Sequence, residues 1–71
     1  MNVKTYSGMD IDIPVVQDWN SIKIGDLLCE LHGDMIINRY EVSAIGKDYF
    51  LGINLWKEEK QLRKQSKWGI I

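Results

Sequence analysis

Hydrophobic and polar positions alternate along most of this chain, and the alternation predicts strands. The opening NVKTY, residues 2–6, sets Val3 among polar neighbours and suggests a short edge strand. After Ser7-Gly8, MDIDIPVV places Asp10 and Asp12 on one face and Ile11 and Ile13 on the other. Pro14 has no N–H to give to a ladder, so this stretch belongs at a sheet edge or ends there. Further on, LLCEL, MIINRYEVSAI and YFLGINL are rich in β-branched and aromatic residues and have strand length. Gly25-Asp26, Gly33-Asp34 and Gly46-Lys47-Asp48 punctuate them, each joining a residue tolerant of positive φ to a turn-forming carboxylate. These features predict an antiparallel meander. Gly52, inside the last of its strands, suggests a bend or bulge where the sheet curls.

From Asn54 the period changes. At about 100° per residue, Leu55, Leu62 and Ser66 share a narrow face, and Lys57, Lys60, Lys64 and Lys67 run along nearly the opposite side. Asn54 is a fair N-cap, Glu58 and Glu59 suit the first turn, and Glu59 can pair with Arg63 at i+4. A helix over residues 55–66 is the expectation. The ending KWGII then reads best as a closing strand over residues 67–71, because exposing Trp68, Ile70 and Ile71 would forfeit about 1.5–3 kcal/mol for each large aliphatic side chain.

Composition narrows the class. The 71 residues are 45% hydrophobic and include a single cysteine. That suits one small globular domain with a thin core and no internal disulfide. No repeat, low-complexity segment or linker divides it: residues 1–19 form an N-terminal edge strand and connection, 20–54 the meander, 55–66 the helix and 67–71 the closing strand. The N-terminal residues contain no apolar stretch of signal-peptide length, and no run approaches the roughly 20 apolar residues of a membrane span. The cytosol is expected by elimination. The net charge of −1 conceals a division, since residues 1–54 carry −4 and residues 55–71 carry +3. Such a basic segment can meet a polyanion, its own acidic body or a second copy.

The order of strand, Gly-Asp turn, long strand, turn, strand, short helix and last strand resembles an SH3-like small barrel. The likeness is carried by IKIGDLLCEL, NRYEVSAIGKDYFLGI and WGII, covering roughly residues 20–71. It implies a mainly β fold with one α-helix: a small antiparallel SH3-like barrel or strongly bent sheet, with the helix before the last strand. The family's usual single 3₁₀ turn is replaced by about three turns of expected α-helix, so its binding sites do not transfer. Proteins of that family bind peptides or nucleic acids or serve as structural modules. In size and compactness the chain also resembles small accessory proteins of bacteriophages and mobile elements.

Little in the sequence points to catalysis. Cys29 and His32 are the only thiol and imidazole, and at i and i+3 along a strand they point to opposite faces about 10 Å apart. A core Cys29 beside Leu27 and Leu31, with His32 in water, is the plainer reading. The aspartates match no EF-hand, and a zinc site needs more His or Cys than the chain owns. No P-loop, dinucleotide fingerprint or nucleophile elbow is present, so no enzyme and no cofactor is expected. Three Trp, three Tyr and one Phe exceed what a thin core easily hides. The sequence therefore favours a non-catalytic module that binds a protein partner or itself, an inhibitor or regulator of a larger protein, with Trp19, Trp56, Trp68 and Ile70 as interface candidates. The alternative is a nucleic-acid binder using Lys57, Lys60, Arg63, Lys64 and Lys67 on the basic helix face, although the acidic body and a pI of about 5.7 oppose it.

Overall fold

The structure, a computed structural model, describes residues 2–4 and 10–71. Its strands are β1 (Asn2–Lys4), β2 (Asp10–Asp12), β3 (Leu27–His32), β4 (Met35–Ile45), β5 (Tyr49–Ile53), β6 (Glu59–Arg63) and β7 (Trp68–Ile70). Five of them form an antiparallel path in the order β6, β5, β4, β3, β7. The β1–β2 hairpin joins this path at the start of β4, through the parallel pairing of Lys4 with Met35. Thr5 and Tyr6 of the expected first strand, and Met9 of the second, lie outside the described residues.

Turn chemistry sets the meander. Gly33 follows β3 at φ 62°, a left-handed conformation that an L side chain resists, and β4 then folds back on β3. Ahead of β3, Gly25 takes φ 96°, and the Asp26 carboxylate accepts the Lys23 N–H at 2.8 Å. β4 carries register shifts opposite Glu30/Leu31 and within Val42/Ala44. The second lies against Gly52, close to the irregularity that this glycine suggested.

β3, which lies between β4 and β7, is covered on both faces. On one side Leu28 joins Ile22, Tyr40, Val42, Phe50 and Trp68, with Trp19, Leu62 and Ile70 packed around them. On the other side Cys29 and Leu31 lie beneath Ile13, with Val15 and Ile36 beside them. A strand buried on both faces reads as a nearly continuous apolar run, which explains LLCEL. Leu27, expected to share burial with Cys29, is instead exposed. The connection before β3 supplies the second layer and is tied to β7 by Ile70 N–H to Pro14 O at 2.8 Å and Val16 N–H to Trp68 O at 2.9 Å.

Two expectations fail. Residues 55–66 are not helical: they form a tight loop, β6 and the start of the next turn, and the only helical piece among the described residues is the 3₁₀ turn Trp19–Ser21. Lys57 at φ 65° halts any helix within its first turn. Strand pairing with β5 then overrides the helix propensity of KEEKQLRK, because only the strand lays Leu62 against Gly52 and Tyr40. The SH3-like barrel is overturned as well. β7 takes its ladder from β3, and among the described residues β6 pairs only with β5, so the sheet they form stays open.

Candidate functional site

The β5–β6 hairpin loop projects the most exposed large apolar side chains among the described residues. Asn54 organises it: its Oδ1 accepts the N–H of Trp56 at 2.9 Å and of Glu58 at 3.0 Å. Its backbone carbonyl accepts the Lys57 N–H at 3.1 Å, and its N–H donates to Glu58 O at 3.0 Å. A type I turn followed by a left-handed residue is a common three-residue hairpin solution. Asn54 is thus a cap, but of a turn. With the backbone bonded in this way, Leu55 and Trp56 stand out into solvent, 74% and 73% exposed.

Beside them the outer face of β4 supplies a floor. Tyr40 and Val42 point into the core, so the alternation of the strand turns Arg39 and Glu41 outward. A depression of about 220 Å³ lies between Ile36, Ile37 and Arg39 on β4 and Asn54, Leu55 and Trp56 on the loop. A second, of about 340 Å³, shares Arg39, Asn54 and Leu55 and continues to Leu27, Ile53, Lys57 and Ile71. Exposed Leu27, Ile37, Leu55, Trp56 and Ile71 thus line two adjoining depressions that have Arg39 in common.

The tryptophans separate by environment. Trp68 is a core residue, 2% exposed. Its ring lies 4.9 Å from Phe50 and 5.8 Å from Tyr40, both edge-on, and its Nε1–H donates to Arg63 O at 2.8 Å. Trp19 is half-buried, its ring 5.1 Å from Phe50, with Lys64 Nζ 5.4 Å above it. Ile70 is half-buried against the core. Of the four interface candidates, only Trp56 stands fully in solvent. Sequence reasoning missed Arg39 and Leu55; the inward positions of Tyr40 and Val42 would have revealed Arg39, given the face that each occupies.

The expected basic stripe is divided. On a strand Lys60 falls with Leu62 on one face and Arg63 with Glu59 and Gln61 on the other, while Lys57 sits in the loop and Lys64 and Lys67 in the turn before β7. Cys29 and His32 are equally separated, the thiol fully buried and the imidazole exposed. Burial pushes the Cys29 thiol above its ordinary pKa, opposed by hydrogen bonding from the Gly69 backbone and by Arg39. Among the described residues no group of three His, Cys, Asp or Glu side chains is placed to hold a metal. Nor is any helix among them long and apolar enough to cross a membrane. Comparison with protein-family models, with curated proteins and with solved structures finds no match to this chain.

Proposed function

We propose that this chain is a non-catalytic protein-binding module that docks a partner segment on the face around Trp56. The observation that carries this reading is the loop locked by Asn54, which holds Trp56 and Leu55 in water where they gain nothing for the fold. Large apolar side chains fixed at a surface are the usual anchors of protein contacts, and their rigidity lowers the entropy lost on binding. Arg39 in the floor and Lys57 at the rim favour a segment that combines apolar side chains with a carboxylate.

Selection of random peptides on the immobilised chain tests this. Enriched sequences should pair apolar residues with Asp or Glu. Trp56→Ala should weaken their binding by about thirtyfold or more, the equivalent of a contact worth about 2 kcal/mol. Recovery of no binding peptide, or of peptides indifferent to Trp56→Ala and Arg39→Ala, would refute the reading.

A further inference from the structure

Strand β6 is an open sheet edge whose sequence is complementary to itself. Among the described residues it pairs only with β5. Which of its backbone groups face outward follows from the ladder. Lys64 N–H donates to Asp48 O at 3.1 Å and Asn54 N–H to Glu58 O at 3.0 Å, and both pairs belong to the register that sets Leu62 opposite Phe50 and Lys60 opposite Gly52. In an antiparallel ladder hydrogen-bonded pairs alternate with non-bonded ones. Residues 58, 60, 62 and 64 therefore turn their amides toward β5, and Glu59, Gln61 and Arg63 turn theirs to the open side. The Arg63 carbonyl is already engaged by Trp68 Nε1–H.

We infer that two copies of the chain join edge to edge through β6, antiparallel and centred on Gln61. This rests on the reading of the chain as a contact module and names a second copy as partner, at an edge separate from the Trp56 face. Centred there, each outward-facing residue meets another outward-facing residue. Gln61 N–H and C=O exchange bonds with Gln61 of the second copy, and Arg63 N–H donates to the Glu59 carbonyl opposite. The same register sets the Glu59 carboxylate against the guanidinium of Arg63 on the second copy, twice by symmetry, and Glu58 opposite Lys64. Within one copy the Glu59 Oε2 accepts the Ser43 hydroxyl at 2.9 Å, reaching inward over β5 toward β4, and the carboxylate exchanges this bond for the arginine when the edges meet. Sliding the pairing by two residues in either direction removes both Glu59–Arg63 matches. Charged residues on an edge normally repel foreign strands. Here the order EKQLR matches its charges to those of a second copy running antiparallel.

A contact of one short strand per copy falls below the area of stable interfaces, so the dimer is weak, with a dissociation constant of about 10 µM to 1 mM, and weaker still as salt screens its ion pairs. Sedimentation velocity from micromolar to millimolar protein tests it. Glu59→Arg and Arg63→Glu, each opposing like charges across the edge, should each weaken dimerisation at least tenfold, and the double exchange should restore it to within about threefold of the wild type. Gln61→Pro deletes an outward N–H without touching the β5 ladder, so it should yield a folded monomer by circular dichroism. A strictly monomeric wild type, or charge variants that dimerise like it, would overturn the inference. A dimer abolished by Trp56→Ala and indifferent to Gln61→Pro would overturn it while leaving the Trp56 docking face in place. A monomer whose selected peptides still require Trp56 would do the same.

Discussion

Gly52→Ala places one methyl group where two strands close over a backbone. Gly52 lies on the inner face of β5, and a Cβ built there stands 2.8 Å from Tyr40 Cβ, 3.2 Å from Tyr40 Cγ and 2.9 Å from Leu62 Cδ1. Leu62 is half-buried near the open edge and can swing aside. Tyr40 cannot, because its Cβ is fixed to β4 and its ring is packed edge-on against Trp68. The strands must therefore separate by several tenths of an ångström. Overpacking of this kind costs about 1–3 kcal/mol, and the stiffer unfolded chain of alanine returns about 0.5–1 kcal/mol. The net loss, about 1 kcal/mol at the middle of these ranges, is a sizeable share of the roughly 4–10 kcal/mol that a domain of this length holds, and it should lower Tm by about 4–8 °C. Urea unfolding followed by tryptophan fluorescence reads the change. Adding Leu62→Ala removes the movable obstacle only, so the double variant should show coupling yet retain most of the Gly52 deficit. Stability of Gly52→Ala within about 0.5 kcal/mol of the wild type, at unchanged m-value, would refute the close-approach reasoning.

Lys57→Gly should raise stability by about 0.5–1 kcal/mol in the same assay, because φ 65° costs a lysine more than it costs glycine. Trp68→Phe keeps most of the aromatic packing but loses the Nε1–H bond to Arg63 O, and a loss of about 1–3 kcal/mol is expected from thermal unfolding. Cys29 adds a pH dependence. The folded state holds the thiol proton more tightly than the unfolded chain, so this contribution is intact below the ordinary thiol pKa of about 8.5 and fades as pH rises through the folded value. Urea titrations from pH 7 to 10 should show a decline that is shallower in Cys29→Ala. Tyr40, also raised by burial and by Glu30, extends the alkaline loss to higher pH.

What could be read in advance follows the physics of each segment. Gly33-Asp34 and Gly46-Lys47-Asp48 are local signals, legible because a turn is decided by its own residues, and strands lie between them in the folded chain. The helical propensities of residues 55–66 and the Asn54 cap are also local, whereas what decides the form of this segment is not: Gly52 and Tyr40, distant in sequence, receive Leu62 only from a strand. A lysine in the left-handed region carries no signature that a glycine would have shown. Residue type alone makes Trp68 an interface candidate, yet Phe50 and Tyr40 claim it for the core. The docking face needed β4, the β5–β6 loop and Leu27 to be brought together, and only the fold supplies that juxtaposition.

The seam that binds Pro14 and Val16 to β7 has a consequence for biosynthesis. Phe50, Tyr40 and Leu28 acquire their central aromatic neighbour only when Trp68 has left the ribosome, and β7 in turn needs a segment made more than 50 residues earlier. Contacts so distant in sequence form late and slowly. A nascent chain that still holds Trp68 inside the ribosome would show the cell a half-clothed sheet, so chaperone capture should fall sharply only once Trp68 has cleared the exit tunnel.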